Sequence, residues 1–433
     1  MSSKPRYVVV VTVEGLGTNL VGSYGGAIAP TKNLDSFACR SIVFDQFWAD
    51  TFRPVDILES MWTGVHFAAR CHPSLQSDPL TLCDPLLERA MLITDSSEVI
   101  EESTLADFGS VLMIESDSRE SIEDEQSDEQ SDEQPQFSRL FETALGQWAT
   151  QLDEFPILWI HSRGLNGTWD APYEYRCVMC DEGDPEPLVD TVPGQLTLTE
   201  ETDPDEVFRL ACSMGAQAMV LDDAWSMIEE ILEQLGIADD CLQVLAGVQG
   251  YPIGEHGYVG NDAETLYAET LHLPLVVRPG NQMKVGVRVP FMVQPNSFLR
   301  TIARWLDGDN ESNPAAMDLV STDLVLEIEA LPAELWPVKN QLAYSCYQDQ
   351  VHVAVPAWSC RWSTATTPDA EETQRVELFA TPDDRWQQNE VSQRAVSIVE
   401  ELTMRRIEWL RCCTTSGLAG WERLSSELTH PIR

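Results

Sequence analysis

Cations are scarce in this sequence: 27 lysines and arginines stand against 71 aspartates and glutamates in 433 residues, a formal charge of −44. A chain so acidic repels phosphate backbones and anionic lipid surfaces, which excludes nucleic acid as an expected partner. Polyanionic substrates meet the same field unless a local basic pocket overrides it within a Debye length of about 8–10 Å. Long apolar runs are missing too. No stretch approaches the roughly 18–20 residues that cross a bilayer, so no membrane span is expected. The opening MSSKPRYVVVVTVEG has no export signal with a small-residue cleavage site, and the expected location is cytoplasmic. Eleven cysteines, an odd number scattered over a long chain, read as reduced thiols rather than a disulfide framework. Cys177 and Cys180 form a CxxC, but no second pair or histidine partner at ligand spacing supports zinc. Nucleotide motifs are absent as well. After Gly15-Leu16-Gly17 the third glycine comes only at Gly22, too late for GxGxxG, and neither GxxxxGK[ST] nor GxSxG occurs.

What is present is strand and helix in alternation. YVVVVTV at 7–13 is a continuous β-branched run, the pattern of a strand buried on both faces of a parallel sheet. PILWI at 156–160 and CLQVL at 241–245 read the same way. Between the last two, Val220, Leu221, Ala224, Ile228, Ile231, Leu232 and Leu235 recur at helical spacing, and Gly236 supplies a stop. The expected fold is therefore α/β, a large mixed, mostly parallel sheet flanked by helices, with functional loops at the strand carboxyl ends. From Glu115 to Gln136 the chain carries ten acidic residues and one arginine, with SDEQ repeated; this insert cannot bury apolar area and reads as disordered. Beyond about residue 340 shorter segments, QLAYSCY, VHVAV and VELFA, precede a helical stretch near 391–410. They predict a small C-terminal α+β subdomain, with a domain at 1–330 and a second at 331–433. Trp48, Trp62, Trp159 and Trp169 fall near presumed strand ends and are expected in the core rather than on sugar rings.

The loop GVQGYPIGEHGYVG at 247–260 follows a strand and gathers Gln249, Glu255 and His256 among glycines. Taken with four other regions it carries a resemblance. VVVTVEGLGTNLVGSYGGAIAPTKNLDSFACRSIVFDQFWADT, SMWTGVH at 60–66, LHLPLVVRPG at 271–280 and VELFATPDDRWQQNEV follow, in order, segments of the sulfatases of the alkaline-phosphatase superfamily. The sequence resembles that family over nearly its whole length.

The resemblance implies a hydrolase fold whose members use a cysteine or serine converted to formylglycine and a divalent cation, usually calcium, held by carboxylates. Hard cations need such oxygens, and the metal offsets charge on the ester oxygens. The matching positions here differ. The first acidic pair is Val13-Glu14, the later Asp-His pair is Val248-Gln249, and the nucleophile falls on Pro54, which has neither nucleophile nor N–H. Thr51 or Arg53 would reach that place only by a shift of register. A substrate-side histidine of the family falls on Asn166, and the basic residue expected in GNDAETLYAE is absent. The expectation is a sulfatase-like protein lacking sulfatase activity, without catalytic or metal residues and without a cofactor, binding an unknown ligand or protein partner. Its vestigial pocket is formed by Val13, Glu14, Arg53, Pro54, Asn166, Val248, Gln249 and His256. The rival is a sulfuric or phosphoric ester hydrolase with a rearranged, calcium-dependent site built from Glu14, Asp50, Asp56 and His256. His161 reads as structural.

Overall fold

The computed structural model describes residues 6–71, 84–102, 108–115, 134–189, 193–280, 286–307, 341–365, 373–414 and 424–430. Most of the acidic insert and the expected boundary near 330 lie outside them. Three β-branched or apolar runs form the centre of a nine-stranded sheet: β1 (Tyr7–Gly15), β5 (Ile157–Ser162) and β7 (Cys241–Gly250), each buried along its whole length. β1 lies between the other two and is parallel to both. On one side the sheet continues through β3 (Ala90–Thr94) to β4 (Ser110–Met113), all parallel. On the other side β10 (Leu275–Arg278) runs antiparallel between β7 and β2 (Ile42–Trp48), and β11 (Val287–Val293) closes that edge parallel to β2. The short β9 (His272–Leu273) also pairs β2. The sheet is thus mixed and mostly parallel, as expected.

Because strand side chains alternate between faces, β1 feeds two cores. Val9, Val11 and Val13 join one cluster with α6 (Gln136–Ala149) and α8 (Pro204–Gln234), while Val8 and Val10 join another with α2 (Pro54–Thr63). The helix α8 begins sixteen residues before the periodic stretch legible in the sequence, where Asp203 accepts from the Asp205 N–H and Pro204 occupies the first turn. The four tryptophans near strand ends are core residues, none more than 4% exposed. α6 starts at Gln136, the last residue of the stretch read as insert, and the Gln136 N–H donates to Asp170 Oδ2 over 2.6 Å.

C-terminal to these lies a four-stranded antiparallel meander: β12 (Ala343–Tyr347), β13 (Gln350–Val355), β14 (Trp358–Ala365) and β15 (Thr373–Ala380). A helix at Val396–Thr414 covers it with Ile398, Leu402 and Trp409. Ser345 Oγ donates to the Ala49 carbonyl (2.6 Å) and the Cys346 N–H to the Asp50 carbonyl (3.1 Å), so the small sheet is seated on the loop that follows β2.

One side chain fixes the short helix α1 (Lys32–Cys39) to the body. Asp222, on α8 and 5% exposed, accepts from the N–H groups of Asn33 (3.1 Å) and Leu34 (2.8 Å). These are donors that a helix start leaves without intrahelical partners, and a carboxylate there also meets the positive end of the helix dipole. Asp222→Ala is expected to lower unfolding free energy by about 2–3 kcal/mol. Urea titration checks this, and Asp222→Asn should recover part of the loss.

Candidate functional site

β1 and β7 do not end in simple register. Val13 pairs with Gly247, but Glu14 pairs with Gln249, so Val248 is an extra residue on β7. Such a bulge re-aims the side chain that follows it. Here it turns Gln249 toward Glu14, while Val13 and Val248 enter the two cores on opposite sides of the sheet. A short turn, Gly164–Asn166, then comes in from the end of β5. Gly164 sits at φ +51°, and a Cβ there would lie 2.5 Å from the Glu14 carbonyl oxygen; only glycine permits that approach.

These three features gather a polar cluster. The Asn166 amide donates to Glu14 Oε2 (3.1 Å) and to Gln249 Oε1 (2.8 Å). Asn261 donates to Asn166 Oδ1 (3.0 Å) and to the same Gln249 oxygen (3.0 Å). The Gln249 amide donates to the Phe52 carbonyl (2.9 Å), which ties the cluster to the turn before α2. The other Glu14 oxygen lies 3.1 Å from His161 Nε2, whose N–H therefore donates to it. His161 Nδ1 is 3.1 Å from the Thr12 hydroxyl, which accepts in turn from Trp159 Nε1 (3.0 Å). The Asn166 and Asn261 amides thus each have two acceptors, the Gln249 amide has the Phe52 carbonyl, and Glu14 receives one donor on each oxygen. Asn261 Oδ1 is a buried acceptor with no partner. Asp95, at the end of β3, accepts from Ser162 Oγ (3.0 Å) and the Arg163 N–H (2.7 Å), and burial raises its pKa.

Of the residues marked out in the sequence, Glu14, Asn166 and Gln249 come together. Pro54 opens α2, with Arg53 as its cap residue. The Arg53 guanidinium is engaged by Glu98 (2.8 Å) and Glu102. Asp50 is fully buried, accepts from the Phe67 N–H (2.7 Å) and faces His66 at 4.0 Å. Asp56 lies on α2, where burial raises its pKa against the lowering effect of Arg70 and Arg53. Thr51 is fully buried and its hydroxyl has no partner. His161 and Asn261 belong to the cluster although sequence reasoning gave neither a role there. The signal for Asn261 lay in its place after Gly260, where the resemblance called for a base.

His256 is held in a different network. Its ring stacks on Tyr267 at 3.6 Å, Nε2 lies 3.0 Å from the Gln387 carbonyl and Nδ1 lies 2.6 Å from Glu269 Oε1. A carbonyl only accepts, so Nε2 carries a proton. Nδ1 then faces a carboxylate, and a second proton is shared between ring and acid. Burial opposes the charged ring, but the Glu269 hydrogen bond and charge, with the Gln387 carbonyl and Glu255, outweigh it, and the His256 pKa is raised. Gln387 belongs to the segment after β15, so this histidine joins the main body to the small sheet. Among the described residues, no group of three or more His, Cys, Asp and Glu is placed to hold a metal ion.

Solved structures with the same fold include sulfatases and a phosphonate monoester hydrolase. BT4656, solved in complex with its substrate D-glucosamine-2-N,6-O-disulfate, superposes with a TM-score of 0.71 at 14% identity over 96% of this chain and 99% of that one. BT1596, a 2-O glycosaminoglycan sulfatase, gives 0.66 at 11% identity over 95% and 93%. The phosphonate monoester hydrolase of Agrobacterium radiobacter gives 0.65 at 15% identity over 99% and 100%. No family model and no curated protein matches the chain by sequence. The chain has the fold of these sulfatases.

The His256–Glu269 pair makes stability depend on pH in a defined direction. A histidine whose pKa is higher folded than unfolded stabilises in full below the unfolded value of about 6.5, and that stabilisation is lost as pH rises through the folded value. His256→Gln is therefore expected to cost on the order of 1–3 kcal/mol at pH 5.5. The difference in melting temperature between the wild type and this variant should shrink as pH rises past the folded pKa. A difference that grows with pH would contradict the shared proton.

Proposed function

From this fold we propose that the chain is a binding protein built on a sulfatase scaffold, and that it does not hydrolyse sulfate esters. The observation that carries the reading is the closed hydrogen-bond ring of Asn166, Gln249 and Asn261, with Glu14 joined to it through Asn166, where the scaffold's metal site would lie. A calcium ion takes six to eight oxygens, several of them charged. Glu14 offers the ring's only carboxylate, and both of its oxygens already accept N–H groups. Two amide groups fill the space between the oxygens with N–H donors, which repel a cation. The residues present do not fit the metal. The nucleophile position supports the same conclusion, since a proline there can neither attack nor be converted.

The Asn261 Oδ1 acceptor is unpartnered but buried, so it indicates what such a site would accept once the Asn261 side chain turns outward. Asn166 and Asn261 are the partly exposed members of the ring, so a ligand approaching from solvent meets them first. It would gain by bringing a neutral N–H or O–H donor, which leaves the ring intact. A dianionic sulfate or phosphate group would face Glu14 and a chain of net charge −44 instead. We place no role on nucleic acid, and no helix among the described residues is long and apolar enough to cross a membrane.

Two measurements test this reading together. Aryl sulfate and aryl phosphonate turnover should stay at background through repeated purification, because losing a nucleophile costs several orders of magnitude in rate. Calcium at about 150 mM salt should leave the melting temperature unchanged in the wild type and in Glu14→Gln, whereas a tight site would stabilise by mass action. Glu14→Gln itself should melt lower in either condition, by about 1–3 kcal/mol of stability, because its new amide faces the Asn166 donor or His161. Turnover abolished by Glu14→Gln, or a calcium-induced rise in melting temperature that this variant removes, would establish the rearranged hydrolase instead.

A further inference from the structure

The CxxC at Cys177 and Cys180 has no part in the polar ring, yet the fold gives one of its thiols a partner from another element. The helix α7 (Tyr173–Cys177) packs on α8, and its arginine, Arg176, donates to the Trp169 and Ala171 carbonyls beneath it. After α7 the chain turns, with the Cys180 N–H donating to the Cys177 carbonyl at 3.2 Å. That turn places Cys180 Sγ 3.9 Å from Cys212 Sγ, inside α8. Both are free thiols; Cys180 is half-buried, Cys212 is 2% exposed, and Cys177 is exposed.

We propose that Cys180 and Cys212 are a site of oxidative modification, closing into a reversible intramolecular disulfide when the chain meets a peroxide. The separation is van der Waals contact between sulfurs, and bonding requires about 2.05 Å, so one sulfur must move by roughly 2 Å. Cys180 can supply that movement, because it lies in a turn outside any helix. Cys212 cannot, being held inside a 31-residue helix, beyond its first two turns.

The order of events follows from access. Cys180, the less buried thiol, attacks one oxygen of hydrogen peroxide as its thiolate. The O–O bond breaks, hydroxide leaves and is protonated to water, and Cys180 becomes a sulfenic acid. The Cys212 sulfur then attacks the Cys180 sulfur, the S–O bond breaks, and the departing hydroxide takes the Cys212 proton as a second water. Two thiols and one peroxide yield one disulfide and two waters. Burial, and then the neighbouring Cys180, push the Cys212 pKa up to about 12. Its thiol is therefore poor as a first nucleophile and waits for the sulfenic acid beside it. The bond would pin the turn after α7 to α8. It would thereby stiffen the segment Trp169–Ala171, which begins three residues after Asn166 and which Gln217 of α8 already grips at Asp170 (3.0 Å) and Ala171 (3.1 Å).

Peptide mapping of the full chain tests the proposal. Reduced protein is treated with hydrogen peroxide under native conditions, remaining thiols are blocked with N-ethylmaleimide, and peptides are separated without reduction. A Cys180–Cys212 linkage is expected, reversed by dithiothreitol, retained in Cys177→Ser, and lost in Cys180→Ser and Cys212→Ser. Its yield should be at least about tenfold higher in the folded chain than in urea, because folding supplies the effective concentration. The oxidised chain should also melt higher than the reduced one. A Cys177–Cys180 linkage in the wild type, equal yield in urea, or Cys180 fully alkylated after peroxide would each overturn the assignment. Should Cys212→Ser fail to fold, the wild-type map and Cys180→Ser, altered only in a turn, decide alone.

Discussion

A single carboxylate buried at the end of the central strand constrains this structure more than any other group. Glu14 is 4% exposed, and an ionised acid out of water is stable only when paired or hydrogen-bonded on both oxygens. Here His161 meets that requirement on one side and Asn166 on the other. Each partner then needs support of its own. The Thr12 hydroxyl, itself oriented by Trp159, fixes His161, while Gln249 and Asn261 fix Asn166. The bulge at Val248 and the close turn at Gly164 are the backbone consequences of bringing these side chains within hydrogen-bond distance.

The scarcity of cations shapes the rest of the electrostatics. With few basic groups available, arginines are spent on particular carboxylates. Arg70 pairs with the buried Glu59, and Arg361 and Arg375 bracket Glu377 while Tyr267 donates to the same acid. Arg53, beside the expected nucleophile position, is occupied by two glutamates of the helix Ser97–Glu102. An arginine engaged in this way is poorly placed to supply the positive charge that a sulfate-ester site requires. The acidity of the chain and the lack of an arginine on its polar cluster are therefore parts of one arrangement.

The central strands were legible because β1, β5 and β7 are buried on both faces and read as unbroken apolar runs. β14 was not legible, because WSCRWSTA mixes core residues with polar ones that find partners inside the small sheet, such as Arg361 on Glu377. The antiparallel course of β10 was equally hidden, since an apolar tetrapeptide carries no mark of direction. In the site, Glu14, Asn166 and Gln249 could be singled out through the resemblance to a family. His161 could not, and Asn261 carried only its place after Gly260, because their roles rest on hydrogen bonds between positions 147 and 95 residues apart. Sequence periodicity reports which face is apolar and says nothing about which polar groups meet.

The glycine loop after β7 shows why a scaffold can keep its shape when its chemistry changes. Gly250 lies so close to the short helix Ala268–Leu271 that a Cβ would sit 1.8 Å from the Glu269 carbonyl oxygen. That contact sets Glu269 where His256 can reach it, and His256 in turn reaches Gln387 beyond the small sheet. Gln387 continues the chain of contacts, donating to Ser359 Oγ and accepting from the Ala268 N–H at 2.9 Å. On the opposite side of the loop, Gln249 binds the Phe52 carbonyl, just past the Ala49 and Asp50 carbonyls that seat β12. The strand ends therefore carry two loads at once, the polar ring and the docking of the C-terminal sheet. Val13, Pro54 and Val248 are free of the second load, because Val13 and Val248 pack in the cores and Pro54 starts a helix. Gly250 and His256 have no such freedom. Their geometry is required by the junction itself, which is a physical reason for the loop to persist whether or not any reaction takes place beside it.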